Sequence, residues 1–261
     1  MSEHENEEFY IGYLPQTPER MAKLVRRVII ALIVIAALTA VVLVAGQRRF
    51  PAAFFDFGHV RDFEGIVREY PYPALLARHE GQPGTLPLFT RYLLVGEGKH
   101  GANDDVAGMH DKQVQLKGTL IHRDNQMMIE VARNSVFVTP PSQRNLSLPE
   151  TETRRSPLGA HTLAGEIVDS KCFLGVMNPG STKVHRECAV RCISGGVMPM
   201  FIVRDAAGKS VGLLLTSTEG NPVNQAVLDF VAEPVEITGQ VEREGDQLYL
   251  RADPKTYRRI R

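Results

Sequence analysis

The chain has 261 residues, enough for one or two domains with ordinary cores. Lysine plus arginine equals aspartate plus glutamate at 30 each, so the basic excess usual in a nucleic-acid binder is missing. Three cysteines are too few for a disulfide-dense scaffold.

Residues 1–27 read as a tail, acidic at first and then punctuated by proline. Val28 to Gly46 follows, VIIALIVIAALTAVVLVAG, an uncharged run broken by Thr39 alone. At 1.5 Å per residue it spans roughly 28 Å, close to the hydrocarbon thickness of a bilayer. A core helix would keep polar positions on one face, and a cleaved signal peptide has a shorter apolar core nearer the start. The run is therefore expected to be an uncleaved transmembrane helix, residues 28–46. Arg20, Lys23, Arg26 and Arg27 precede it, and Arg48 and Arg49 follow. That modest bias places the tail in the cytoplasm and the bulk of the chain outside it.

Beyond the membrane the chain reads as two similar halves. DFEGIVREY at 62–70 matches TLAGEIVDS at 162–170, with Gly65 on Gly165. RYLLVGE at 91–97 is matched to MFIVRDA at 200–206. KQVQLKGTLIHRDNQMMIEVA at 112–132 matches EPVEITGQVEREGDQLYLRAD at 233–253, with Gly118 on Gly239. Val114, Leu116, Gly118 and Leu120 share one strand face by alternation, as do Val235, Ile237, Gly239 and Val241. Arg123-Asp124-Asn125 and Glu244-Gly245-Asp246 are hairpin chemistry. Short strands of this kind build small barrels or sandwiches, and a strand glycine often marks the bend that closes a barrel. The expected domains are a first β domain at 59–138, a linker rich in proline, serine and charge at 139–160, and a second β domain at 161–261.

The second half carries extra residues between its matched blocks, and they hold Cys172, His185, Cys188 and Cys192. If HRECAVRC is helical, His185, Cys188 and Cys192 stand at i, i+3 and i+7, within a stripe of roughly 60°. Gly195 and Gly196 would end that helix. Cys172 follows a strand-like run, GEIVDSKC, so one loop and one short helix can gather three sulfurs and an imidazole. Two readings stand. The set can bind a soft or borderline metal, zinc or copper, as thiolate and imidazole suit both. Alternatively Cys172 forms a disulfide with Cys188 or Cys192, the pair Cys188–Cys192 being awkward within one regular helix. In the first half, Lys99, His100 and His110 lie in a polar glycine-rich loop at 96–111 and are candidate contacts for an anion or metal.

The pattern G-x-(Ile/Val)-x-D-x-x-C, then H-x-x-C-x-x-x-C, then V-x-(Val/Ile)-x-G runs through Gly165, Asp169, Cys172, His185, Cys188, Cys192 and Gly239. In this the second half resembles a group of small bacterial secreted or membrane-anchored domains without an assigned activity. The resemblance covers about the last hundred residues. It implies an OB-like β-barrel, and the whole architecture resembles bacterial envelope proteins that accompany membrane redox complexes. The fold expected is mainly β: two tandem small OB-like barrels after one N-terminal transmembrane helix.

No nucleophile elbow, P-loop, dinucleotide fingerprint or zincin motif is present in the sequence. The expected function is a periplasmic, membrane-anchored binding or assembly module, more a non-enzyme than an enzyme. Its expected partners are the membrane and other envelope proteins, with nucleic acid excluded on charge and location. The competing reading is a thiol–disulfide or metal-dependent redox protein using Cys188 and Cys192.

Overall fold

The computed structural model describes residues 18–47, 53–79, 88–139, 148, 150–206 and 209–260. Most of the expected tail and part of the expected linker lie outside those residues. The chain divides into two compact units, Met1–Pro51 and Ala52–Arg261.

In the first unit, helix α1 runs Glu19–Gln47, so the last residues ahead of the apolar run are helical too. Its apolar side chains stand exposed all round. It is long and apolar enough to cross a membrane, the one such helix among the described residues. The Thr39 hydroxyl donates to the Ile35 carbonyl at 2.8 Å, so the lone polar side chain of the run is satisfied within the helix.

The second unit is mainly β. Strands β1 (Ala53–Arg68), β2 (Ala74–His79), β3 (Leu88–Val95), β4 (Gln113–Arg123) and β5 (Gln126–Val131) pair in the order β1-β2-β3-β5-β4, and β4 returns to β1. Every pairing is antiparallel except β3 with β5. A short β6 (Phe137–Val138) adds to β4. The same wiring recurs in β7 (Ser156–Asp169), β8 (Pro199–Arg204), β9 (Ser210–Thr216), β10 (Pro234–Glu244) and β11 (Gln247–Arg251), with β9 and β11 parallel and β12 (Arg258–Arg259) on β10. These are two OB-like barrels in tandem.

Closure depends on the matched glycines. A Cβ on Gly65 would stand 2.5 Å from the Leu76 carbonyl oxygen, and one on Gly165 would stand 2.4 Å from that of Ile202. At both places the first strand of the barrel leaves one neighbour and begins to pair with another, so two backbones crowd it. Gly118 and Gly239 meet the Glu130 and Arg251 carbonyls in the same way.

One matched block is corrected by the topology. RYLLVGE lies on β3, whose counterpart is β9; MFIVR lies on β8, whose counterpart is β2. Both are short buried apolar runs, which local alternation does not distinguish.

Each barrel has its own core, and a third apolar cluster joins them. Leu93, Ile121 and Met128 of the first barrel pack there with Phe173, Met198 and Leu214 of the second. Val114 and Leu116 face the first barrel's interior, while Ile121, of opposite parity on the same strand, is buried in the joint. The Arg91–Glu244 ion pair at 2.9 Å and the Tyr72 hydroxyl, which donates to the Leu215 carbonyl at 2.6 Å, cross the same joint. The joint positions everything that follows, since the extra segment between β7 and β8 sits against it.

Candidate metal centre

In the first barrel, β1 turns into β2 within a few residues. In the second, residues 170–198 separate β7 from β8 and hold all four expected ligands. β7 ends on Asp169, which is fully buried. One carboxylate oxygen, Oδ1, accepts the Cys172 N–H at 2.7 Å, a side-chain cap on the turn that follows. The other, Oδ2, faces His185 Nε2 at 3.0 Å. The D-x-x-C spacing thus has a local cause: the aspartate three residues before the cysteine fixes its backbone.

His185 closes a short 3₁₀ turn, Lys183–His185, and stands at the N-cap of helix α3, Arg186–Ser194 (a four-residue helix, α2, lies earlier at Glu150–Thr153). Cys188 and Cys192 lie one turn apart on α3. The helix ends as the glycines suggest, with Gly196 taking a positive φ of 100° and donating to the Ile193 carbonyl.

The four residues and Asp169 form two triads that share Cys172. One ligand atom each from Cys172, His185 and Cys188 lie within 4.8 Å of one another, and so do those from Asp169, Cys172 and Cys192. Around tetrahedral zinc, sulfurs stand roughly 3.8 Å apart, so a small inward movement would bring the first triad to a common ion. With Nε2 on Asp169, Nδ1 is the imidazole nitrogen left for a ligand, the usual carboxylate–histidine arrangement of a metal site. All three thiols are free; Cys172 and Cys192 are buried and Cys188 is half-buried. The Cys192 thiol is held below its ordinary value, chiefly by the bond Cys172 gives it, while that bond and burial push the Cys172 thiol up.

Two lysines bring the first barrel to the site. Lys99 Nζ donates to Cys188 Sγ at 3.2 Å, and that bond is the main reason its ammonium is held above the ordinary lysine value. Lys171, beside Cys172, is buried. Its Nζ donates to the Gly96 and Gly98 carbonyls at 2.8 and 2.6 Å and lies 3.4 Å from Glu130. The Gly101 N–H donates to the Gly195 carbonyl at 2.9 Å, so the 96–111 loop is tied to both ends of the inserted segment. Of the loop residues singled out by sequence, Lys99 reaches the cysteines. His100 lines a cleft between the barrels, and His110 accepts the Glu69 N–H through Nδ1. Sequence reasoning missed Asp169 as the orienting carboxylate and Lys171 as the tie. The cap spacing carried a signal for the first; the second depends on contacts made across the chain.

No family model and no curated protein matches the chain. Among solved structures, it is similar to a deletion mutant of the single-stranded DNA binding protein from Thermus aquaticus at 10% identity. The match covers 81% of this chain and 88% of that one, with a TM-score of 0.23. The expectation that nucleic acid is excluded as a partner is corrected by that match. It rested on net charge, which sums over the chain and does not describe any one face. At this TM-score the likeness assigns no partner either.

Proposed function

We propose that the chain is a membrane-anchored pair of OB-like barrels. In this reading the second barrel binds one soft or borderline metal ion through Cys172, His185 and Cys188, with Cys192 beside them. The observation that carries this is the triad itself, with its imidazole aimed by a buried carboxylate. Two thiolates and an imidazole suit zinc or cuprous copper better than a hard cation. Arg20, Lys23, Arg26 and Arg27, in the first turns of α1 ahead of its apolar run, support a cytoplasmic N-terminus, with the barrels on the periplasmic side.

Intact mass under native and denaturing conditions, with and without alkylation, tests the site. A metal adduct lost on denaturation, with three alkylatable thiols, is the expected result. A loss of two hydrogens with one alkylatable thiol would instead mean a disulfide from Cys172 to Cys188 or Cys192. Protease treatment of spheroplasts tests the topology; barrels protected from external protease would reverse it.

A second reading is thiol exchange through Cys188 and Cys192. It is favoured by the half-buried position of Cys188 and the lowered Cys192 thiol. Insulin reduction at the background rate would remove it.

A further inference from the structure

Arg91 and the half-buried Arg155 have a carboxylate partner in Glu244. Arg91 pairs with Glu244 at 2.9 Å, and Arg155 with the same carboxylate at 3.0 Å. Arg123 differs. It is 7% exposed, its Nε is buried without a hydrogen-bond partner, and no described carboxylate forms an ion pair with it. Its guanidinium carbon lies 4.1 Å from the centre of the Phe173 ring, which holds the group in place without neutralising it. A buried guanidinium with no carboxylate in ion-pair contact is costly, and proteins rarely keep one.

Arg123 and Phe173 both line a pocket of about 550 Å³ between the β4–β5 hairpin and the start of β9 with the β10–β11 hairpin. Such a volume suits a small organic molecule. Lys209 stands on the pocket wall. The Asp124 carboxylate and, less strongly, the Arg204 guanidinium act on Arg123 electrostatically, so its charge is partly offset by a neighbour that forms no ion pair with it. Val211 and Leu248 add apolar wall. Asp124 and Asp246 also line the pocket, which disfavours a multiply charged ligand.

We propose that this pocket binds a small, singly charged oxyanion, with the Arg123 guanidinium as its anchor. The planar fork of arginine matches a carboxylate or phosphate in bidentate fashion. Phe173, Val211 and Leu248 would take the apolar body of an organic acid. The site is separate from the proposed metal centre, although Phe173 follows Cys172 in the chain.

Calorimetric titration of the full chain in detergent micelles, at constant ionic strength, tests this with benzoate and with inorganic phosphate. Saturable binding of at least one probe, with a Kd of roughly millimolar or tighter, is expected. Benzoate binding alone would identify a carboxylate site with an apolar wall; phosphate binding alone would identify a bare-anion site. Arg123→Gln should weaken binding by about tenfold or more. Its melting point without ligand should be no lower than that of the wild type, because an unpaired buried charge is removed. Lys209→Gln, on an exposed residue, should weaken binding by about threefold, and it serves as the test if the first variant does not fold. Failure of both probes to saturate by about 50 mM, or undiminished binding by the variants, would overturn the proposal.

Discussion

Asp169 and His185 face each other across the base of the inserted segment, Oδ2 to Nε2 at 3.0 Å, and both are buried. Asp169 performs two tasks at once, since its other oxygen holds the Cys172 backbone at 2.7 Å. The two tasks can be separated by substitution. Asp169→Asn keeps an oxygen for the Cys172 N–H but removes the charge that orients the imidazole. Metal affinity should fall by about 10- to 100-fold while the barrel stays folded. Asp169→Ala should also lose the cap, at a cost of about 1 kcal/mol or more. Competition against a chromogenic zinc chelator, with circular dichroism as the folding check, reads both. Unchanged affinity in the asparagine variant would remove the orienting role of Asp169.

Lys171 is the tie between the inserted segment and the 96–111 loop. Lys171→Met leaves Glu130 and the Gly96 and Gly98 carbonyls without their ammonium. A loss of about 3 kcal/mol is expected, as when one partner of a buried pair is removed. Glu130→Gln should cost much less, because the ammonium keeps its two carbonyls and the glutamate is partly exposed. Chemical denaturation of the two variants in the same detergent compares them; equal losses would contradict the assignment of the carbonyls as the main partners.

The sequence showed those features whose cause is local. The apolar run before Gly46 became α1, the alternation around Val114 and Val235 became barrel strands, and Gly196 closed α3. The cysteines and His185 were visible as a helical stripe plus one strand-end thiol. Contacts between barrels were not legible. Lys99 lies far along the chain from Cys188, Tyr72 from Leu215, and Arg91 from Glu244, and no periodicity encodes such pairs. Strand matching failed at RYLLVGE for a related reason: alternation reports which face is buried, not which neighbour a strand pairs with.

Gly165 tests the account of barrel closure. An added Cβ would meet the Ile202 carbonyl oxygen at 2.4 Å and the Phe201 ring at 2.9 Å. The ring can shift, but the carbonyl belongs to the paired strand β8. Gly165→Ala should therefore destabilise the second barrel by about 1–3 kcal/mol, towards the upper end. Gly65→Ala should do the same to the first barrel, where Leu76 supplies the carbonyl. Urea midpoints within error of the wild type would show that the strands can separate without penalty.

Asp105 makes the stability of the first barrel depend on pH. Burial, and then the like charges of Asp104 and Glu97, hold its carboxyl above the usual range, partly offset by Arg133. The folded state therefore binds this proton more tightly than the unfolded state does. The resulting stabilisation is fully present below the unfolded pKa and is lost as pH rises through the folded one. At neutral pH the ionised carboxylate is left in crowded surroundings. Asp105→Asn removes that charge, so the variant should melt higher than the wild type at pH 7. The gain should be a fraction of a kcal/mol, since solvent screens a half-exposed group. It should shrink to nothing near pH 3, where the wild-type carboxyl is protonated as well. Paired thermal melts at the two pH values measure it. A gain that is equal at both would assign the effect to packing rather than charge.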